Sequence, residues 1–474
     1  MDESSVALCI DLDYTLVRSD LLVESALKAV NEQPFAALGA LRALRQGRAQ
    51  LKQRLADLAD LRVDLLPYDP GVLALAETAR AAGRPVVLAT AANHRYAEQV
   101  ALHLGLFDAV HGSDANTNLC AHAKAERLVQ SYGEGGFDYV GDSRKDLAVW
   151  RHARRAIVVN PQPGVLSGLA RSGVPHTLLS RRGPLMAPLV GVLRPHQWLK
   201  NALVFLPLLA AHLFLDPPAI LGGIAAFLAF SLTASVGYVI NDLLDLEADR
   251  QHVRKRLRPF ACGDLPFTWA LALIVVLMAG AGAIGAWLPP LFLGVLGAYF
   301  AATLAYSLQL KRHMTLDVLT LAGLYTLRVI GGAAAIGIPP SFWLLGFSMF
   351  LFLSLAYLKR YAELESLRRE GGDWASGRGY GIKDLELVRG LGIPAGYCAV
   401  MVLALYINSP EVRVLYRHPE VIWLVCPLLL YWTARTWSIA HRGLMHDDPL
   451  LFAITDRGSQ VTFLMCVLTL WFAV

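Results

Sequence analysis

Hydrophobic residues are spaced in two different ways along this chain, and the change comes near residue 185. Before it, short apolar runs such as "VALCI" (6–10), "PVVLA" (85–89) and "FDYVG" (137–141) are bounded by polar residues, the pattern of buried strands in a parallel sheet. Between the first two lies "ALRALRQGRAQLKQRLADLADLRVD", with Ala, Leu, Arg and Lys at helical spacing. Beyond residue 198 the apolar runs become long enough to cross a bilayer, and we count about nine, near 199–215, 219–240, 267–287, 290–309, 315–336, 342–358, 389–408, 419–437 and 457–474. Gly183, Pro184, Pro188 and Pro195 punctuate the stretch between the two regimes. The pattern predicts an α/β domain over 1–180 with a helical cap at about 18–80, a linker over 181–198, and an all-α polytopic membrane domain over 199–474.

Composition agrees with the second half more than the first. Of 474 residues 55% are hydrophobic and 17% charged, and the mean hydropathy is +0.44, which excludes an ordinary soluble protein. The net charge of +5 comes from cations in loops between apolar runs, so membrane topology explains it better than nucleic acid does. Six cysteines show no metal-ligand pairing and imply no disulfide framework. "MDESSVALCIDLDYTL" lacks a basic leader segment, so the first domain is expected to stay in the cytoplasm. The loops point to that side with one exception: "DLEADRQHVRKRLRP", "LKRHMT", "LKRYAELESLRRE" and "RTWSIAHRG" are basic, "HLFLDPP", "LPP" and "GIPPS" carry no cation, and "NSPEVRVLYRHPE" alone puts cations, Arg413 and Arg417, on the opposite face. The expectation is a multi-pass inner membrane protein with its basic loops cytoplasmic and, for an odd number of spans, its C-terminus outside.

Chemistry concentrates at the strand ends of the first domain. "VALCIDLDYTL" ends in Asp11 and Asp13 followed by Thr15; the second strand reaches Thr90; a helix begins at Lys124; "FDYVGDSRKD" ends in Asp142 and Asp146. In a parallel open sheet such ends share one crevice. Carboxylates there can hold Mg²⁺ through oxygen and leave one free to attack phosphorus. The order DxDxT, Thr, Lys, GDxxxD resembles the haloacid dehalogenase superfamily. That resemblance implies Asp11 as nucleophile, Asp13 as general acid and base, Thr15, Thr90 and Lys124 on the phosphoryl group, and Mg²⁺ on Asp11, Asp13, Asp142 and Asp146. The helical stretch that follows, with Arg42, Arg45 and Arg48, reads as a substrate-selecting cap or as an amphipathic surface on the membrane.

A second constellation closes the second apolar run. In "NDLLDLEADRQHVRKRLRP" the residues Asp242, Asp245 and Asp249 stand at i, i+3 and i+7, one face of a helix, with Asn241 beside them. Carboxylates on one stripe call for a cation between them, and Lys255 and Arg258 follow to hold phosphate oxygens. The motif resembles the UbiA superfamily of intramembrane prenyltransferases. "RPHQWLKN", "YSLQLKRHMTLDV", "LRVIGGAAAIG", "LKRYAEL" and "DDPLLFAITDR" are similar to its decaprenyl-phosphate phosphoribosyltransferase branch. The second acidic motif departs from the prenyltransferase pattern, offering Asp317 alone where a pair is usual. The resemblance implies catalysis at Asp242 and Asp245, Mg²⁺ on Asp242, Asp245 and Asp249, and substrate contacts at Lys200, Asn201, Asn241, Lys255, Arg258, Tyr306, Lys311, Asp317, Arg328, Lys359 and Arg360.

Together the halves suggest one Mg²⁺ in each domain and a bifunctional enzyme. It would transfer 5-phosphoribose from phosphoribosyl pyrophosphate to a polyprenyl phosphate lipid, then remove the 5-phosphate. Two alternatives stay open: an aromatic prenyltransferase using a prenyl diphosphate with an accessory phosphatase domain, and a transporter or scaffold with a phosphate-binding domain. No nucleic-acid partner is expected, and oligomeric state, a homo-oligomer included, is left open.

Overall fold

The computed structural model describes residues 6–115, 117–374, 378–445 and 448–473. The chain forms two compact units: Met1–Val192 with Asn241–Ala272, and Leu193–Ile240 with Leu273–Val474.

The first unit is built on a six-stranded parallel sheet, β1 (Ala7–Ile10), β2 (Val86–Asn93), β3 (Ala109–Ser113), β4 (Phe137–Gly141), β5 (Arg155–Val159) and β6 (His176–Ser180), in the order β3-β2-β1-β4-β5-β6. Continuous apolar runs form β1 and β4 because helices cover both faces of the sheet, so neither face needs polar residues. Leu8, Ile10, Val86, Leu88 and Val140 pack into one core with Val72 and Ala76 of helix Pro70–Ala81. Cys9, Val87, Tyr139 and Trp150 pack into the other. The strand order reverses direction between β1 and β4, and at that point the carboxyl ends open a crevice. The expected cap is helical: Leu21–Glu32, Pro34–Ala40 and Arg48–Leu58, joined by a 3₁₀ turn. Asp20 starts it by accepting from Leu22 N and Val23 N at 3.0 and 3.1 Å. Arg42, Arg45 and Arg48 are exposed at its far end, among exposed Phe35, Leu38 and Leu44.

The segment Asn241–Ala272 joins this unit through the cap. Glu24 and Arg250 are both buried and form a bidentate pair at 2.7 and 2.9 Å. Lys28 reaches Glu247 at 2.8 Å, and Asn31 donates to Leu244 O at 3.1 Å. Glu247, which lies off the acidic stripe in the sequence, thus has a structural partner.

The second unit is helical. Six helices are long and apolar enough to cross a membrane among the described residues: Pro217–Leu244, Phe267–Trp287, Pro290–Leu308, Met314–Ala335, Phe342–Arg369 and Ile382–Ile407, of which Pro217–Leu244 and Phe267–Trp287 extend into the first unit. The pair Pro449–Thr455 and Arg457–Ala473, bent by 78°, raises the number to seven if it is one span. Nine apolar runs therefore give six or seven spans by length and composition. The run near 199–215 becomes a 3₁₀ stretch, Pro195–Phe205, and the short helix Leu206–Ala210, because Pro195 and Pro207 suit helix starts and not helix interiors. The run near 419–437 is likewise divided into a 3₁₀ turn, Pro419–Leu424, and the 17-residue helix Val425–His441.

Small residues set the packing of this unit. A Cβ on Gly332 would lie 2.0 Å from Val204 O, so "IGGAAA" lets helix Met314–Ala335 approach the 3₁₀ stretch closely. That approach places Arg328 against Asn201.

Candidate active sites

In the crevice of the first unit the four motifs converge. Asp11 follows β1, and its Oδ1 accepts from Leu12 N at 2.8 Å and lies 2.9 Å from Lys124 Nζ. Lys124, buried in the first turn of helix His122–Tyr132, also donates to the Tyr139 hydroxyl at 2.7 Å. Tyr139 in turn donates to Asp146 Oδ1 at 3.1 Å. Asp146 is fixed from its other oxygen by Ser143 N and Oγ at 2.9 and 2.7 Å. Gly141 makes room for it, since a Cβ there would lie 2.9 Å from the Asp146 carboxyl. Asp142 accepts from Gln162 Nε2 at 3.1 Å. Tyr139 was not visible as a site residue in the sequence, because an aromatic residue inside a strand reads as core.

Asp11, Asp142 and Asp146 offer ligand oxygens within 4.8 Å of one another, the sole such acidic group among the described residues. Their electrostatics show what the group lacks. Burial raises the Asp142 pKa well above the usual carboxylate value, with Asp146 and Asp11 adding to it. Burial likewise raises Asp11, against the pull of Lys124. Burial depresses Lys124, yet Asp11 and Asp146 more than offset it and leave it raised. One ammonium among three carboxylates leaves negative charge for a divalent ion with oxygen preference, so the donor set fits Mg²⁺.

Asp13 stands apart from that group. Its Oδ1 accepts from Leu21 N at 2.9 Å, which ties it to the first residue of the cap. The intervening Tyr14 takes φ 57°, in the left-handed region, to turn the chain there. Burial, then Asp20, push the Asp13 pKa well above the usual carboxylate range, the direction that suits a general acid. The cap contributes Lys52, which donates to Ala91 O at 2.5 Å and Asn118 Oδ1 at 2.8 Å and acts electrostatically on Asp13. A lysine in a basic amphipathic helix gave no sign of this in the sequence. Thr15 is buried with its hydroxyl unpartnered. Thr90 lies inside β2, which runs on to Asn93, and its Oγ1 accepts from Ala92 N at 2.9 Å.

The acidic motif is arranged differently from a plain helical stripe. Helix Pro217–Leu244 ends before Asp245, and a short helix, Leu246–Gln251, follows. Asp249 N still donates to Asp245 O at 2.8 Å. Arg258 Nη1 bridges Asp242 Oδ1 at 3.1 Å and Asp249 Oδ2 at 2.6 Å, so a guanidinium stands between two of the three carboxylates. Burial pushes the Asp249 pKa up to about 6, although Arg258 opposes it. Lys255 is exposed and Asn241 half-buried.

The second unit holds three polar centres. Asp317, fully buried, is enclosed: Arg360 Nε lies at 2.5 Å, Tyr306 and Tyr380 hydroxyls donate at 2.9 and 3.2 Å, and Arg378 Nη1 lies at 3.4 Å. Arg360 and Arg378 also hold Glu363, at 2.6 and 3.0 Å. Arg328 donates to Asn201 Oδ1 at 2.7 Å, Leu324 O at 2.6 Å and the Tyr299 hydroxyl at 2.8 Å, so each of its nitrogens has a protein acceptor. Lys200 and Lys359 share the Oδ2 of Asp448, Lys359 at 3.7 Å. Two ammonium groups on one carboxylate leave a positive excess that suits an anion. Asp448 and Arg378 were not among the residues singled out from sequence, and Asp447 of the same motif lies outside the described residues. Lys311 is half-buried in the 3₁₀ turn Leu310–Arg312.

Comparison with known proteins follows the same division. Residues 202–448 match the UbiA prenyltransferase family, and residues 8–151 the haloacid dehalogenase-like hydrolases. An uncharacterized protein of Sinorhizobium fredii is 38% identical over 462 residues, covering 96% of this chain and 89% of that one. Decaprenyl-phosphate phosphoribosyltransferase of Mycobacterium tuberculosis is 38% identical over 192 residues, 40% of this chain and 63% of that one. Among solved structures, a UbiA homologue from Archaeoglobus fulgidus bound to DMAPP and Mg²⁺ aligns with a TM-score of 0.45 at 17% identity, over 60% of this chain and 96% of that one.

Proposed function

We propose, on the premise that this chain belongs to the UbiA prenyltransferase family and carries a haloacid dehalogenase-like domain ahead of it, that it is a bifunctional membrane enzyme making a polyprenyl-phosphoryl pentose. In the first reaction an oxygen of a polyprenyl phosphate attacks the anomeric carbon of phosphoribosyl pyrophosphate, the carbon–oxygen bond to pyrophosphate breaks, and a polyprenyl-phosphoryl-5-phosphoribose results. In the second, Asp11 attacks the 5-phosphorus, the ribose 5-oxygen leaves with the Asp13 proton, and water directed by Asp13 then releases phosphate from the aspartyl group.

The observation that carries the first reaction is the enclosure of Asp317. A prenyl diphosphate enzyme of this family would use a second acidic cluster to hold metal and diphosphate, and here the single carboxylate is taken up by Arg360, Arg378, Tyr306 and Tyr380. The phosphoribosyltransferases among its relatives point the same way. Asp242, Asp245 and Asp249, with Asn241, are assigned to Mg²⁺ and the pyrophosphate, and Lys255 and Arg258 to its oxygens. Lys200 and Lys359 are assigned to the lipid phosphate, since they exceed Asp448 in charge. Arg328, each of whose nitrogens already donates once to the protein, orients Asn201, and its remaining N–H groups are assigned to phosphate. Lys311 is assigned to the phosphate at the cytoplasmic end of its helix. Mg²⁺ in each domain would draw off the charge that develops on the leaving oxygens. The soluble domain is assigned to the cytoplasmic side of the inner membrane, with the C-terminus opposite.

The alternative, a prenyltransferase using a prenyl diphosphate, is favoured by the family's general chemistry. One assay separates the two. Purified full-length protein is incubated with Mg²⁺, labelled phosphoribosyl pyrophosphate and polyprenyl phosphate, and lipid-extractable label is expected. Asp11→Asn should accumulate the 5-phosphorylated lipid, and Asp245→Asn should abolish both products. Turnover of a prenyl diphosphate with no labelled lipid would overturn the proposal.

A further inference from the structure

Beside the carboxylate crevice, and wholly within the first unit, lies a pocket of about 280 Å³ that the reaction above does not use. Its floor is made by the next two strand ends. Asp142 follows β4, Asn160 follows β5 and Ser180 ends β6. Gln162 N donates to Asp142 O at 2.9 Å and Asn160 N to Ser180 O at 2.9 Å, so the three positions are contiguous. Strands about 4.8 Å apart place the pocket roughly 5–10 Å from Asp142.

Its lining is rich in charge. Arg18, Arg181 and Arg182 line it, with Asp69 and Asp264. Arg18 is committed, to Asp69 at 3.1 Å and Asp264 at 3.8 Å. Arg181 and Arg182 have no hydrogen bond or ion pair to any of the described residues, and the Ser180 hydroxyl is buried without a partner. Burial lowers the Arg182 pKa while Asp142 and Tyr14 raise it, which places that guanidinium in the field of the crevice. Two uncommitted guanidinium forks and a hydroxyl beside a phosphate-cleaving carboxylate form an anion site, and guanidinium geometry matches phosphate oxygens.

We propose that this pocket holds a second phosphoryl group of the phosphatase substrate, so that the domain selects a sugar bearing two phosphates, one cleaved at Asp11 and one retained on Arg181 and Arg182. The inference rests on the reading of Asp11 as the phosphatase nucleophile. Under the proposed reaction sequence the retained group is the phosphodiester that joins ribose to lipid; a free sugar bisphosphate has the same chemistry.

Phosphate release by the full-length protein is measured with ribose 1,5-bisphosphate, ribose 5-phosphate and a short-chain prenyl-phosphoryl-5-phosphoribose. In Arg181→Gln/Arg182→Gln, kcat/KM for both doubly phosphorylated substrates is expected to fall at least about tenfold through KM, with ribose 5-phosphate within about twofold of wild type. A fall with the lipid substrate alone identifies the lipid phosphodiester as the natural occupant; a fall with both leaves the free bisphosphate equally served. Equal effects on all three substrates, or none, overturn the pocket's role. Binding separates this from the phosphatase reading: Asp11→Asn should bind ribose 1,5-bisphosphate at least about tenfold tighter than ribose 5-phosphate and lose that preference when both arginines are replaced. Absence of hydrolysis in wild type with the binding preference intact refutes the phosphatase and keeps the pocket; absence of the preference refutes the pocket.

Discussion

Acidic side chains are treated in opposite ways in the two units. In the crevice of the first unit Asp11, Asp142 and Asp146 bring ligand oxygens together beside one ammonium, Lys124, which lies 2.9 Å from Asp11 and 3.9 Å from Asp146, so negative charge is in excess there. In the membrane unit Asp317 is met by two guanidinium groups and two phenols, with Glu363 balancing the second arginine. A crevice open to water can leave a deficit for a dissolved ion to fill. A carboxylate among lipid-spanning helices is neutralised by the protein itself, because an unpaired charge there costs too much. The lesson for reading such a chain is that an aspartate in a membrane helix is not by itself a metal ligand; its partners decide.

The largest expected effect tests the open crevice. Asp11→Asn should lower phosphate release by about 10⁴-fold without changing the circular dichroism, as removal of a nucleophile does. Activity above about a tenth of wild type would place the chemistry elsewhere. Next comes the closed centre: Asp317→Ala strands Arg360 and Arg378 and should cost about 3–5 kcal/mol, read as a lower unfolding temperature in detergent. Unchanged stability with lost Mg²⁺ dependence would make Asp317 a metal ligand and erase the contrast. Glu24→Gln, which breaks a buried bidentate pair with Arg250, should cost about 3 kcal/mol, seen as faster hydrogen exchange in Leu21–Glu32 and Leu246–Gln251.

A smaller effect sharpens the one membrane centre with charge to spare. Lys359→Gln removes one of the two ammonium groups on Asp448, and with it the cationic excess, and should weaken polyprenyl phosphate about tenfold, seen in KM for the lipid with little change in that for phosphoribosyl pyrophosphate. The smallest concerns pH. Burial alone would raise Asp138, but hydrogen bonds from Arg154 and Arg84 hold it below its usual 3.8. A depressed folded-state value adds stability that is present above 3.8 and lost as pH falls through the depressed one. Protection of β4 and β5 amides should therefore decline on acidification below about pH 4, and Asp138→Asn should flatten that decline while lowering protection at pH 7.

What the sequence by itself determined was whatever depends on neighbours along the chain. Apolar runs of one length became strands and runs of another became helices. The spacings DxDxT, GDxxxD and NDxxDxxxD placed carboxylates at strand and helix ends, where backbone direction dictates what they can face. Tertiary structure decided whatever depends on residues far apart in the chain. Lys52 reaches the crevice from the cap, Tyr139 links Lys124 to Asp146 from inside a strand, and Arg378 and Tyr380 close around an aspartate some sixty positions away. Proline turned two predicted spans into broken stretches, and Arg258 set itself between two carboxylates that the pattern had put on one stripe. The physical reason is the same in each case: periodicity records which face a residue occupies, while the charge and the hydrogen-bonding groups that meet it there come from other elements, and those set whether a carboxylate binds a metal, moves a proton or holds the fold together.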